Sequence, residues 1–289
     1  MTQRTSGERV EYRSEHQTTE SPEVVRPARR TVGVVIPTLN ASRTISRCIE
    51  SIRAQTHPVS ETVIVDSFST DSTVALAKAS ARVISENCGM AQARLIGARH
   101  LKTDLVLNLD SDQLLFPDTI ERCLETDTQV VALGETSIGS GLVAFVNRID
   151  RDVVETEWQS NLDPLSGPVR PRLYERQLLT RALEAIPDAL MRMKPAPYSE
   201  DSLIYLNTGV SARQVGYVPR ALVHVEEASL TRYARKWFRY GTTAKVYRGT
   251  QFDRLVWHRG RRAALGGRRL LTMPALVLKG VPFFLGYSI

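Results

Sequence analysis

Between Thr31 and Asp110 four short apolar, β-branched runs alternate with segments patterned as helices, and this alternation constrains the fold more than any other feature of the chain. The first run, TVGVVIP (Thr31 to Pro37), has the near-continuous hydrophobicity of a buried strand. A polar turn, TLNAS, follows it, and Ile45, Cys48, Ile49 and Ile52 then recur at i, i+3, i+4 and i+7, one face of a helix. A second cycle runs ETVIVD (Glu61 to Asp66), a turn SFSTD with Asp71 as the expected N-cap, and a helix through Val74 and Ala77. ARVIS (Ala81 to Ser85) is a third strand, followed by an Asn87-Cys88-Gly89 turn and an Ala-rich helix from Met90 to Leu101; DLVLNLD (Asp104 to Asp110) is a fourth. Parallel neighbours require crossover connections, so the pattern predicts an α/β fold with a doubly wound, mostly parallel sheet and flanking helices.

Ligands of such sheets sit beyond the carboxyl ends of the strands. Here those ends are Thr38 to Asn40, Asp66 to Ser69 and Asp110 to Asp112, and none is glycine-rich. The G-x-G-x-x-G and Walker A fingerprints are missing, which argues against a nicotinamide enzyme or a P-loop NTPase. Carboxylates stand where those folds place glycines. A carboxylate repels a bare diphosphate, so a phosphate site built this way requires a divalent cation between the two.

The remaining chain divides by composition. Residues 1–30 are polar and lack the apolar run of a secretory signal, and are expected to form a disordered tail. Residues 31–229 are expected to form one domain, with the strand–helix alternation in 31–125 and a substrate-facing half in 126–229. In the latter the alternation fades, with Pro- and Gly-bearing stretches such as LDPLSGPVRPRLY (Leu162 to Tyr174). Residues 230–289 form a basic, aromatic and apolar C-terminal segment. Cys48, Cys88 and Cys123 are odd in number and show no C-x-x-C spacing, so neither a disulfide framework nor a cysteine zinc site is expected, and a reducing, cytoplasmic setting follows. The formal charge is +7, yet Arg232 to Arg269 alone hold twelve Lys and Arg against Asp253. Such a block suits anionic lipid, a phosphorylated substrate or nucleic acid on charge alone.

The strings VGVVIPTLNASRTISRCIESIRAQT, VIVDSFSTDST and LVLNLDSDQ, in this order and spacing, resemble the nucleotide-binding half of family 2 glycosyltransferases. The resemblance implies a GT-A catalytic domain over 31–229, with 31–125 its nucleotide-binding half and 126–229 its acceptor-binding half. It implies transfer of a sugar, with inversion, from a nucleotide-diphosphate-sugar donor to a hydroxyl acceptor: a glycan, a lipid-linked acceptor or a small molecule. It implies that Pro37, Thr38 and Asn40 line the nucleoside pocket, that Asp66 accepts a hydrogen bond from base or ribose, and that Arg94 stands near the nucleotide. Where the family usually shows two adjacent acids, Asp66 is followed here by Ser67. A solvated helix arginine is the competing reading of Arg94. Asp110-Ser111-Asp112 resembles the family's DxD motif, Asp112 ligating Mg2+ or Mn2+ and Asp110 contacting ribose or metal-bound water.

SEDSLIYL (Ser199 to Leu206) sets Glu200 and Asp201 ahead of an apolar run. Such a pair is favoured at any helix N-terminus; the resemblance implies that one of them, Asp201 before Glu200, is the general base. GYVPRALVHVE (Gly216 to Glu226) matches a family strand that ends on a histidine, which makes His224 either a further metal ligand or a hydrogen-bonded core residue. Tyr233, Trp237 and Tyr240, interleaved with Arg and Lys, suit a membrane interface. The apolar run Leu270 to Ile289 is broken by Pro274, Lys279 and Pro282, so three dispositions stay open for it: attachment to an anionic membrane surface, packing on the catalytic domain, or a span. Attachment would place the protein peripherally on the cytoplasmic face. Nucleic acid is not an expected partner. Two rival functions are a nucleotidyltransferase, which the missing basic Gly-rich loop disfavours, and a catalytically silent GT-A-like module at a membrane.

Overall fold

The computed structural model describes residues 30–158, 170–226, 229–256 and 269–289, so the tail expected at the N-terminus lies, save Arg30, outside the described residues. The four predicted strands form at β1 (Val32–Thr38), β2 (Glu61–Asp66), β3 (Arg82–Ser85) and β4 (Leu105–Asn108). Between them lie α1 (Ile45–Arg53), α2 (Thr73–Lys78) and α3 (Met90–His100). Ile45, Cys48, Ile49 and Ile52 are all buried, as their spacing demands. Asp71 stands one residue before the N-cap Ser72, yet its carboxylate accepts the Thr73 N–H at 2.9 Å, so it tethers the helix start without occupying the cap position.

The second half adds β5 (Gln113–Leu115), α4 (Thr119–Glu125), β6 (Val130–Ile138), α5 (Gly141–Trp158), β7 (Arg170–Glu175), α6 (Arg176–Glu184), α7 (Asp188–Met191), α8 (Glu200–Thr208), β8 (Val215–Val225), α9 (Leu230–Ala244) and α10 (Arg269–Ser288). All eight strands join one sheet in the order β3-β2-β1-β4-β7-β6-β8-β5. β3, β2, β1 and β4 run parallel, as do β6 and β8; β4–β7, β7–β6 and β8–β5 are antiparallel. Hydrophobic clusters cover both faces, Val35 and Tyr174 contributing to one and Val34 and Leu173 to the other.

β7 occupies the middle of the sheet although its sequence, RPRLYE, does not look like a central strand. Pro171 donates no ladder hydrogen bond, and β6 shifts register between Val131 and Ala132 where it meets Pro171, which accommodates the missing donor. Period-two alternation sends Leu173 into one core layer and Tyr174 into the other.

α10 is continuous through Pro274 and Pro282 and packs on α9 and α5. Among the described residues no helix is long and apolar enough to cross a membrane. The α9–α10 crossing depends on two glycines: a Cβ at Gly241 would stand 2.0 Å from the Phe283 carbonyl oxygen, and one at Gly286 2.0 Å from that of Phe238. Tyr198 packs on Phe283 with ring centroids 4.9 Å apart, and Lys279 pairs with Asp150 of α5 at 2.5 Å.

Candidate active site

The carboxyl ends of β1, β2 and β4 lie side by side, as the strand order dictates. Beyond β1 and β2 the polar turns are tied to each other. The Asn40 N–H donates to Ser69 Oγ at 2.8 Å, Asn40 Oδ1 accepts the Thr70 N–H at 2.9 Å, and the Ser42 N–H donates to Asp71 at 3.1 Å. Asp66 is only 1% exposed; it accepts from Thr38 Oγ1 (2.9 Å), Ser69 Oγ (2.5 Å) and the Ser69 N–H (2.8 Å). Thr38 and Asp66 thus hold the two loops together through their side chains. Pro37 is half-buried and Asn40 exposed beside them.

Beyond β4, Asp110 is gripped by two buried arginines. Arg94 Nη2 reaches its Oδ1 at 2.8 Å, and Arg172 Nη1 lies 3.3 Å from its Oδ2. Arg94 is 1% exposed, which rules out the solvated-helix reading; its Nε also donates to Glu200 at 3.1 Å, and its Nη2 lies 3.5 Å from Asp201. Arg172 reaches further to Glu135 at 3.1 Å and Asp201 at 4.0 Å, and Arg170 donates to Asp201 at 2.9 Å. With both oxygens so engaged, Asp110 is turned to the arginines, and the exposed carboxylate of the motif is Asp112, beyond the half-exposed Ser111.

These pairings order the proton affinities. Burial would raise the Asp110 carboxyl, but Arg172, Arg94 and His224 outweigh it and hold it at about 2. Glu135 is likewise held at about 2, against burial, by Arg172 and Arg151. Asp201 sits below the ordinary carboxylate range because Arg172, Arg170 and Arg94 overcome its burial. Glu200 goes the other way, to about 7: burial dominates, and Arg94, shared with Asp201 and Asp110, does not compensate it.

Asp112, its side chain 37% exposed, lies with Oδ2 3.5 Å from His224 Nε2. His224 occupies the end of β8 opposite Gln113, and its Nδ1 is 3.7 Å from Glu226, which Ser137, Asn147 and Arg151 hold in place. Among the described residues no three His, Cys, Asp or Glu side chains form a metal cage. One carboxylate and one imidazole nevertheless suit a Mn2+ or Mg2+ ion that takes its other oxygens from a diphosphate and water.

α8 begins on Glu200 and Asp201, so the helix-start reading and the site reading of this pair coincide. Its N-cap, Ser199, adopts φ 60°, a left-handed backbone at the rim of the cavity. That cavity, about 200 Å3, is lined by Arg94, Asp110, Asp201, His224, Trp237 and Lys279 among others. It thus brings together residues from both halves and from the C-terminal helices. Arg170, Arg172, Glu135 and Arg151 are absent from the sequence-derived set. The alternation Arg170, Arg172 in RPRLYE, two cations on one face of a strand, is the signal that could have found the two β7 arginines.

The strand order and this cluster define an α/β domain with carboxylates and arginines gathered at the carboxyl ends of its strands. Residues 33–164 match the model of the glycosyl transferase family 2, and the chain carries a domain of that family, with the GT-A fold. An N-acetylglucosaminyltransferase of Mesorhizobium japonicum is 28% identical over 231 residues, 72% of this chain and 54% of that one. The chondroitin synthase of Escherichia coli is 36% identical over 53% of this chain and 21% of its own. The chain thus spans about half or less of the length of these relatives. Glucosyl-3-phosphoglycerate synthase from Mycobacterium tuberculosis, in complex with Mn2+, UDP-glucose and phosphoglyceric acid, superposes with a TM-score of 0.51 at 25% identity, covering 78% of this chain and 80% of that one. S. aureus TarS 1-349 in complex with UDP-GlcNAc has a TM-score of 0.51 at 15% identity over 85% and 79%, a likeness of fold alone.

Proposed function

We propose that the chain is a metal-dependent, inverting glycosyltransferase that moves a sugar from a nucleotide diphosphate to a hydroxyl acceptor. The observation that carries this reading is the meeting of Asp112 with His224 at 3.5 Å, beside a cavity into which Asp201 projects from a third part of the chain. A silent binding module requires neither the ligand pair nor the acid.

Asp112 and His224 would hold Mn2+ or Mg2+, which when bound supplies positive charge to the donor's diphosphate as it departs. The chain's own residues do the rest. The tied turns after β1 and β2 receive the nucleoside, with Pro37 and Asn40 at its edge. Asp201, ionised at neutral pH, takes the proton of the acceptor hydroxyl as that oxygen attacks the anomeric carbon. Arg170, Arg172 and Arg94 orient Asp201, and Glu200 backs Arg94 from the interior.

The acceptor side faces α9 and α10, with Trp237, Tyr240 and Lys279 on the cavity wall. On the outer side of α10, Met273, Leu276, Val277, Val281, Phe284 and Leu285 are exposed at helical spacing. Together with the basic block before it, this stripe supports peripheral attachment to an anionic membrane surface and a lipid-linked acceptor.

The reading is tested by thermal denaturation against a panel of nucleotide diphosphate sugars with and without Mn2+. One donor is expected to raise Tm only when Mn2+ is present. A Tm unmoved by every donor would contradict it.

A further inference from the structure

Two large apolar side chains stand out of the tied turns beside the donor pocket. Leu39, after β1, is 61% exposed, and Phe68, after β2, is 58% exposed. Phe68 also adopts φ 58°, a left-handed backbone that bulky L residues rarely take. Nothing in the turn drives this locally to hide the ring: the neighbouring Ser69 N–H and Oγ are fixed on Asp66, the Ser67 N–H donates to the Thr38 carbonyl at 2.9 Å, and the ring is left in solvent. The loop is tied by these hydrogen bonds, takes a left-handed backbone at one bulky residue, and presents an aromatic face.

Its position is informative. β2 and β4 flank β1, so the ends of the two strands lie about 10 Å apart at ordinary strand spacing. A nucleoside diphosphate laid across β1, with its phosphates toward Asp112, brings its base to the end of β2. Next to Phe68, Lys194 Nζ donates to Ser67 Oγ at 3.1 Å and to Asn87 Oδ1. An ammonium carries three donors and no acceptor. Asp66 beside them is buried and accepts from Thr38 and Ser69.

We infer that Phe68 is the stacking platform for the donor's nucleobase, and that Lys194 beside it selects a base whose edge presents a carbonyl oxygen. This rests on the donor-binding reading above and adds the identity of the base-contacting residues. A planar base offers every aromatic platform a π-face, so stacking sets affinity and the Lys194 edge sets choice. Uracil, thymine, cytosine and guanine carry a carbonyl; adenine does not.

The test is calorimetric titration of the full chain with UDP, dTDP, CDP, GDP, ADP and inorganic diphosphate, all with Mn2+. ADP is expected to bind more weakly than the best carbonyl-bearing nucleotide. Phe68→Gly, which frees the backbone of strain, is expected to keep or raise Tm while weakening that nucleotide between about fivefold and 150-fold. Inorganic diphosphate should bind Phe68→Gly as it binds the unchanged chain, and Phe68→Trp should retain nucleotide affinity. Lys194→Met should narrow the gap between ADP and the others. Unchanged nucleotide affinity in a folded Phe68→Gly protein overturns the stacking role, and an equal loss for inorganic diphosphate overturns it as well, by tracing the loss to a displaced loop. If the unchanged chain binds inorganic diphosphate but no nucleotide better, the inference fails while the metal site stands; if it binds nothing, the donor-binding reading falls too.

Discussion

Arg94 and Arg172 are each shared by three carboxylates, and this sharing sets the proton affinities of Asp110, Glu135, Glu200 and Asp201. Removing one guanidinium strands buried charges, so Arg172→Met is expected to destabilise the fold by about 3–5 kcal/mol in urea unfolding. Asp201→Asn should keep donor affinity in titration while turnover falls by about 10²–10⁴, and an equal fall in both would make Asp201 a structural acid. Glu200→Gln should keep a larger share of turnover than Asp201→Asn. The pH dependence of stability separates Glu200 further. Its proton affinity is raised on folding, from 4.5 to about 7, so protonated Glu200 contributes stability fully below pH 4.5 and the contribution is lost as pH rises through 7. Urea midpoints of Glu200→Gln should therefore lack this decline, exceeding those of the unchanged chain at pH 8 more than at pH 5.

Among the elements, β1 to β4 and the helices between them were legible because each buries a regular pattern: near-continuous β-branched runs for strands closed on both faces, and the Ile45 to Ile52 stripe for a helix. β7 was not legible, since Pro171 and three charged residues mask a strand whose support comes from non-local pairing and from the shifted register of β6. The same limit governs the site. Asp110 to Asp112, Glu200, Asp201 and His224 stand out as types at strand and helix ends, whereas the dependence of Asp110 and Asp201 on Arg170 and Arg172 arises only when β7 enters the sheet beside β4. The α9–α10 pair was legible in composition, and its packing rests on glycines that no periodicity flags. Gly241→Ala forces a methyl onto the Phe283 carbonyl, so the pair must separate. A loss of about 1–3 kcal/mol in urea unfolding and faster proteolysis within 269–289 are expected.

Across the whole molecule, the carboxylate–arginine cavity, the basic block and the exposed stripe of α10 belong to one chain whose positive charge is concentrated toward its C-terminal part. α10 packs on α5 and α9 with Lys279 turned inward to Asp150, and the exposed positions of its stripe carry no charge. Flotation with vesicles containing phosphatidylserine is expected for the unchanged chain and weakened by Val277→Asp together with Phe284→Asp; flotation insensitive to both would place the membrane contact elsewhere. The claim on which the rest depends is that Asp112 holds the ion that meets the donor's diphosphate. Its most direct measurement is Mn2+-dependent release of nucleoside diphosphate from the bound donor sugar by the unchanged chain and by Asp112→Ala, each with and without chelator. Release that requires Mn2+ and disappears in a folded Asp112→Ala protein is the predicted result; release that continues undiminished in Asp112→Ala, or in chelator, would contradict it.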